Sequence, residues 1–165
     1  MTMTDVGQVS GDLFWDDLRV GMRATSPGRT ITESDVMTFA GLSGDFNQLH
    51  VDAVFAAEQG FGGNRLVYGI LGVAIASGLH TRTWLGTGTQ RNSVALLELQ
   101  WNFAGPIFIN DTVTLTVSVV DLRPTSDGRR GIVKFERLLT NHDGLVVQRG
   151  TTVGMMKRKP GESGS

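Results

Sequence analysis

The chain contains no cysteine among its 165 residues, and this absence removes several classes of protein at once. Without thiols there is no disulfide scaffold, no thiolate metal site and no cysteine nucleophile. Charge is almost balanced, since 15 Lys and Arg face 16 Asp and Glu. A broad positive surface for sequence-independent binding of nucleic acid is therefore not expected. The 3 histidines are scattered, which argues against a zinc site and predicts no bound metal.

Long apolar runs and targeting signals are also missing. The most apolar stretch, Leu66 to Leu79, is shorter than a bilayer-spanning helix and is interrupted by glycines. The first residues, Met1 to Asp5, have neither the positive start nor the apolar centre of a signal peptide. The sequence therefore predicts a soluble, cytoplasmic protein without a membrane partner.

Hydrophobic residues make up 40% of the chain and charged residues 19%, a balance typical of one globular domain. Small, polar and charged residues fill both ends of the chain. We therefore expect flexible ends over residues 1–12 and 157–165, with one folded domain over residues 13–156.

Three helical segments are predicted in the first half of the chain. The first begins after Thr32, whose side chain can cap a helix, and the second begins after Asp52 and ends at Gly60. The third runs from about Arg65 to Leu85 and is apolar nearly all round. It is expected to be roughly 30 Å long and buried on every side.

The second half of the chain alternates between apolar and polar residues, as strands do. Four strands are predicted there: Ser93 to Phe103, Thr112 to Arg123, Arg130 to Asn141 and Leu145 to Met156. A segment near Met22 to Ile31 adds a fifth, and Asn141-His142-Asp143-Gly144 is a strong hairpin signal. We therefore expect an α+β fold in which a curved antiparallel sheet surrounds one buried helix.

The densest group of reactive side chains lies between the first two helices, in Ser43-Gly44-Asp45-Phe46-Asn47-Gln48-Leu49-His50. We expect a tight loop in which the side chains of Asp45 and His50 converge. A carboxylate and an imidazole around one water molecule can transfer protons near neutral pH. A loop with only local turn bonds and an unreactive surface histidine is the alternative that these residues leave open.

Three segments of the chain carry a recognisable pattern: Phe39-Ala40-Gly41-Leu42-Ser43-Gly44-Asp45-Phe46-Asn47-Gln48-Leu49-His50, Tyr68-Gly69-Ile70-Leu71 and Asn102-Phe103-Ala104-Gly105-Pro106. Together they closely resemble the MaoC-like dehydratase family, the group of (R)-specific enoyl-CoA hydratases with the hot-dog fold. The resemblance extends from about Phe14 through Met156. It implies a sheet of about five strands wrapped around a long helix, with a helical overhang that carries the motif.

The resemblance also implies roles for five residues. Asp45 and His50 match the catalytic pair of the family, and Asn47 matches the asparagine that shapes the loop and the water site. Gly69 matches the glycine whose backbone N–H donates to the thioester oxygen. Ser77 matches a serine that orients the catalytic aspartate, although a serine on a buried helix can also bond back to the preceding turn.

Two positions depart from the family pattern. Proline usually follows the motif asparagine, whereas this chain has Gln48, which gives up the fixed φ of proline and adds a backbone donor. Histidine often precedes the oxyanion glycine, whereas this chain has Tyr68. Neither change removes a member of the proton-transfer pair, and both leave the substrate preference open.

The function implied is the reversible hydration of a trans-2-enoyl thioester to an (R)-3-hydroxyacyl thioester, with coenzyme A as the carrier. The chemistry is proton transfer and water addition, so no metal or redox cofactor is expected. Exposed sheet edges and the family resemblance favour a homodimer or a dimer of dimers. Two alternatives stay open: a dehydratase for a branched or dicarboxylic acyl-CoA, and a non-catalytic subunit that binds acyl thioesters.

Overall fold

A computed structural model describes residues 11–160 of the chain. Most of the two ends predicted to be flexible lies outside these residues. The C-terminal segment differs at its start, because Lys157 ends the last strand and Arg158 forms an ion pair of 2.7 Å with Asp16. The first residues of that segment are thus attached to the folded part, and the predicted single-domain bounds stay a prediction.

Residues 11–160 form one antiparallel sheet with six strands. The strands are β1 (Arg23–Thr25), β2 (Arg29–Thr30), β3 (Ser93–Phe103), β4 (Thr112–Pro124), β5 (Arg130–Asn141) and β6 (Val146–Lys157). Their order in the sheet is β1-β4-β5-β6-β3, and β2 pairs with β4 beside β1. The four long strands therefore confirm the predicted ones to within one residue at every end.

Alternation along β4 shows why the sheet has a buried face. Val113, Leu115, Val117 and Val119 are buried, and the residues between them are less so, as the period of two along a strand requires. The predicted early strand is instead split into β1 and β2, because Pro27 lies between them and cannot donate a hydrogen bond to the sheet.

Two of the helices begin where the capping residues Thr32 and Asp52 predicted, whereas the short helix over Gln48–Val51 was not predicted. Helix α1 (Glu33–Ser43) has Thr32 as its N-cap, and the Thr32 hydroxyl accepts from the backbone N–H of Asp35. Gly44 ends α1 in the left-handed conformation, with φ of 73°. Two one-turn helices follow, α2 (Gln48–Val51) and α3 (Ala53–Ala56), and then a π-helical turn (Ala57–Phe61).

The central helix is shorter than predicted. Helix α4 covers Gly69–His80, which is about 18 Å at 1.5 Å per residue. It begins later than predicted because the backbone before it pairs with another segment of the chain. There, the Val67 N–H donates to the Ile107 carbonyl at 2.8 Å. It stops early because Thr83 caps the separate helix α5 (Trp84–Thr89).

The expectation that the central helix is buried on every side is wrong. One side of α4 packs into the core through Leu71, Ile75 and Leu79. On another side, Ile70 is 61% exposed. This open side is the wall of a groove between α4 and the sheet. Within residues 11–160, no helix is both long and apolar enough to cross a membrane.

Candidate active site

The loop between α1 and α2 holds Asp45 through its own short-range hydrogen bonds. The Asp45 N–H donates to the Ser43 hydroxyl at 3.2 Å, and the Asn47 N–H donates to the Asp45 carboxylate at 3.1 Å. The side-chain oxygen of Asn47 accepts from the Leu49 N–H at 3.0 Å and so caps α2. Asn47 thus orders the turn that presents the carboxylate of Asp45, which is exposed.

His50 lies on α2, where a continuous loop was expected, so the predicted loop is partly helical. The Nδ1 atom of His50 is 2.8 Å from the carbonyl oxygen of Leu66. A carbonyl can only accept, so Nδ1 carries the proton when the ring is neutral. This leaves Nε2 of His50 with a free lone pair, which is the form of imidazole that can take a proton from water.

Tyr68 connects the two proposed catalytic residues. The centroid of its ring lies 3.8 Å from the centroid of the His50 ring, and its hydroxyl donates to the backbone carbonyl of Asp45 at 2.5 Å. Tyr68 is itself buried. Burial raises the pKa of the Tyr68 hydroxyl, and the negative charge of Asp45 raises it further. The hydroxyl therefore stays protonated and keeps donating to the Asp45 carbonyl near neutral pH.

The positioning by Tyr68 was not foreseen from the sequence, which showed this residue only as a departure from the family pattern. Two signals were present. Tyr68 is the single tyrosine of the chain, and it directly precedes Gly69. What the sequence did not show is the contact itself, because Tyr68 and Asp45 are 23 positions apart.

Gly69 is the first residue of α4, where backbone N–H groups have no partner within the helix. A Cβ atom at this position would lie 2.8 Å from the Phe103 ring, so the site requires a glycine or a displaced ring. The Gln148 amide donates to the Gly69 carbonyl at 3.1 Å and accepts from the Trp101 indole N–H at 3.0 Å. Gly72, one turn later, leaves the space that the Gln148 amide fills.

Ser77 lies farther from this group. It is eight positions after Gly69 on α4, or about 12 Å along the helix axis, and it is exposed. No hydrogen bond joins Ser77 to Asp45 in the part of the chain that the structure describes. Its predicted role in orienting Asp45 stays a prediction, and its location is the groove beside α4.

The groove has a volume of about 370 Å³. One wall is the open side of α4, with Ile70, Val73 and Ser77, and the other comes from β3, with Leu96 and Leu99. Because the wall begins next to Gly69, a chain bound there has one end beside the start of α4. As for metals, no group of three or more His, Cys, Asp or Glu in residues 11–160 is arranged to hold an ion.

The arrangement joins two kinds of chemistry at one place. Asp45 and His50 each present a proton acceptor, and Tyr68 contacts both residues. The residue after Tyr68 is Gly69, whose N–H points from a helix start where negative charge is stabilised. Proton transfer and stabilisation of an oxyanion are therefore available within one small region.

A sheet curved around a central helix, with a helical segment at its edge, is the hot-dog fold. The solved structure of the (R)-hydratase from Aeromonas caviae matches this chain with a TM-score of 0.69 and 30% identity, and the match covers 87% of this chain and 98% of that chain. The class is thus that of hot-dog proteins.

Within this class, residues 19–139 match the family model of the MaoC like domain, and the chain belongs to that family. An (R)-specific enoyl-CoA hydratase of Rhodospirillum rubrum is 32% identical over 140 residues, which cover 85% of this chain and 90% of the relative. A 3-hydroxybutyryl-CoA dehydratase of Methylorubrum extorquens is 32% identical over 112 residues, covering 68% of this chain and 67% of the relative. The chain is therefore a member of a hydratase and dehydratase family that acts on acyl thioesters.

Proposed function

We propose that this protein catalyses the reversible addition of water to a trans-2-enoyl thioester, and that coenzyme A is the carrier. The product is the (R)-3-hydroxyacyl thioester. The observation that supports this most directly is the contact of Tyr68 with both Asp45 and His50 immediately before Gly69. The location that we propose is the cytoplasm, where coenzyme A thioesters are made and used.

In the mechanism that we propose, one water molecule lies between two acceptors. The Asp45 carboxylate and the Nε2 lone pair of His50 can each accept one of its hydrogens, which turns an oxygen lone pair toward the substrate. The water oxygen then bonds to the β-carbon as one of the two groups takes its proton. The electron pair of the double bond moves toward the thioester oxygen. The proton taken from the water then passes from the Asp45–His50 pair to the α-carbon, which restores the resting site.

Gly69 has the role of stabilising the charge that develops on the thioester oxygen. Its N–H lies at the positive end of α4, and a glycine lets the thioester approach the backbone closely. An oxyanion donor of this type contributes about 3–4 kcal/mol to lowering the barrier. Acid–base help from Asp45 and His50 contributes about 10²–10⁴-fold in rate.

The decisive experiment is the Asp45→Asn variant in a hydratase assay with crotonyl-CoA, followed by the loss of absorbance of the conjugated thioester. We expect a folded variant whose kcat falls by about 10²–10⁴-fold, because an amide cannot accept the proton. Asp52→Asn is a matched control, since Asp52 caps α3 and takes no part in the proposed chemistry. Equal kcat in Asp45→Asn and the wild type would refute the role of Asp45.

The alternative of a non-catalytic acyl-thioester-binding subunit is tested by the same assay. A wild-type chain that binds crotonyl-CoA in calorimetry but hydrates no enoyl thioester would establish it. We favour the enzyme, because a binding module has no use for the ordered turn at Asp45 or for the fixed tautomer of His50.

We also propose that the protein is a homodimer. β3 is at one end of the strand order, so its outer edge has no partner among the described residues. The strand is apolar as well, and Leu97 is 50% exposed there. An unpaired apolar edge favours association with a second copy, which gives a closed two-fold dimer or a dimer of dimers. Light scattering of the purified chain measures this directly, and a monomeric mass would contradict it.

A further inference from the structure

Arg137 occupies a position where the alternation along β5 calls for an apolar residue. Val133, Phe135 and Leu139 have the same parity on this strand and belong to the core. Arg137 lies between them on the same face and is only 9% exposed. A charged side chain on the inner face of a sheet needs a partner to offset its loss of hydration.

The described part of the chain does not provide an acidic partner for Arg137. Its Nε donates to the neutral hydroxyl of Thr152 at 3.0 Å, and the ion pairs formed among residues 11–160 involve other arginines. Burial lowers the pKa of Arg137 to about 10, so the guanidinium stays positively charged at neutral pH. The charge is therefore present, buried and unneutralised by any described carboxylate.

The same guanidinium lines the groove beside α4. It shares this groove with Ile70, Val73 and Ser77 of α4 and with the apolar residues of β3 described above. Burial lowers the pKa of His80 to about 3, and the positive charge of Arg137 contributes to this shift. His80 is therefore neutral near pH 7 and adds no second positive charge to this region.

The position of Arg137 relative to α4 indicates which end of the groove it marks. Two positions after Arg137 on β5, Leu139 pairs with Gln148, whose amide donates to the carbonyl of Gly69, the first residue of α4. Two positions before Arg137, the Phe135 ring lies 5.5 Å from the ring of His80, the last residue of α4, so Arg137 lies beyond Gly69 in the direction of His80. The groove wall from Ile70 to Ser77 extends about 10 Å along the helix. A substrate whose thioester lies at Gly69 thus has its far end toward Arg137, after an apolar stretch that suits methylene groups.

We propose that the groove accepts an acyl chain that ends in a carboxylate, and that Arg137 binds this carboxylate. The inference rests on the proposed hydratase function and names its substrate class, a dicarboxylic enoyl thioester. A guanidinium forms two parallel hydrogen bonds with a carboxylate, and such charge-assisted bonds are strong where water is excluded. A neutral acyl chain would leave the Arg137 charge buried without a partner.

The test compares trans-2-octenoyl-CoA with trans-2-octenedioyl-CoA, which differ in one terminal group. We expect the wild type to have the higher kcat/KM for the dicarboxylic substrate. In Arg137→Leu, the ratio of the two kcat/KM values falls by about 10–100-fold, as expected for the loss of a hydrogen-bonded charge pair. Arg130→Leu, which changes an exposed arginine on the same strand, keeps the wild-type ratio.

Two results would overturn the proposal. The first is a wild type without preference for the dicarboxylic substrate. The second is an Arg137→Leu variant that loses kcat/KM equally for both substrates, since this would assign Arg137 to the coenzyme A phosphates, to a second copy of the chain or to folding. A lower oligomeric mass of the variant would indicate a contact with a second copy, and a lower Tm would indicate a role in folding. An unchanged mass and Tm would assign Arg137 to the coenzyme A phosphates.

A binding experiment separates this inference from the hydratase proposal. In Asp45→Asn, calorimetry measures the Kd of both thioesters without turnover. Tighter binding of octenedioyl-CoA, lost on adding Arg137→Leu, supports the carboxylate site even if the wild type hydrates neither compound. Equal Kd values for the two thioesters in Asp45→Asn refute the carboxylate site even if hydration of octenoyl-CoA is fast.

Discussion

Removing the Tyr68 hydroxyl tests whether this residue positions the catalytic pair. Tyr68→Phe keeps the ring that lies 3.8 Å from His50 and removes only the hydrogen bond to the Asp45 carbonyl. The loss of one such bond costs about 0.5–1.5 kcal/mol of stability. Activity should suffer more, because a displacement of the reacting groups by about 1 Å can reduce the rate by about 10²-fold.

We therefore expect Tyr68→Phe to lower kcat by about 10–100-fold, with a small change in KM, in a crotonyl-CoA hydration assay. A double-mutant cycle with Asp45→Asn makes the test sharper. If Tyr68 acts by placing the Asp45 carboxylate, its removal should have little effect on kcat once that carboxylate is gone. Phe39→Leu is a control, because the Phe39 ring also packs against Tyr68, with 5.0 Å between the ring centroids, and Phe39 has no part in the proposed proton transfer.

Two outcomes would refute this reasoning. Full activity in Tyr68→Phe would show that the hydrogen bond to the Asp45 carbonyl is not needed for placement. Additive losses in the cycle would show that Tyr68 and Asp45 act independently. Circular dichroism and thermal denaturation exclude a simple folding defect as the cause of lost activity.

Two further predictions concern contacts away from the catalytic pair. Gln148→Leu should lower kcat more than it changes KM, because it frees the Gly69 carbonyl and leaves the Trp101 indole N–H unpaired; an unchanged kcat with a lowered Tm would limit Gln148 to packing. The Arg158 guanidinium, through its hydrogen bonds, holds the pKa of Asp16 below its ordinary value of 3.8. The ion pair therefore stabilises the fold above that pH and loses its effect as the pH falls through the lower folded-state value. Accordingly, Arg158→Ala should lower the Tm more at pH 7 than at pH 2, and an equal loss at both pH values would contradict the linkage.

The strands and helix starts could be predicted because their signals are local. The alternation that buries Val113, Leu115 and Val117 is visible in neighbouring residues, and so is the hydroxyl of Thr32 that caps α1. The ends of the central helix were not visible in this way. The residues before Gly69 are apolar and compatible with a helix, but Val67 bonds to Ile107, which is 40 positions away in sequence.

In the candidate site, too, the local features could be predicted from the sequence and the contacts between distant segments could not. The motif residues Asp45, Asn47 and His50 stand close together in sequence, so their chemistry could be read directly. The groups that position them come from distant segments, as with Tyr68 and Gln148, and only the folded chain brings these together. Arg137 is an intermediate case, because its inward parity on β5 is present in the sequence but its burial and lack of an acidic partner are not.

The glycine at position 72 has a consequence for how this protein can change over evolutionary time. A methyl group there would come within 2.4 Å of the Gln148 amide nitrogen and displace the amide that holds the Gly69 carbonyl. A side chain at position 72 therefore moves the Gln148 amide, and the start of α4 then loses this support unless position 148 changes as well.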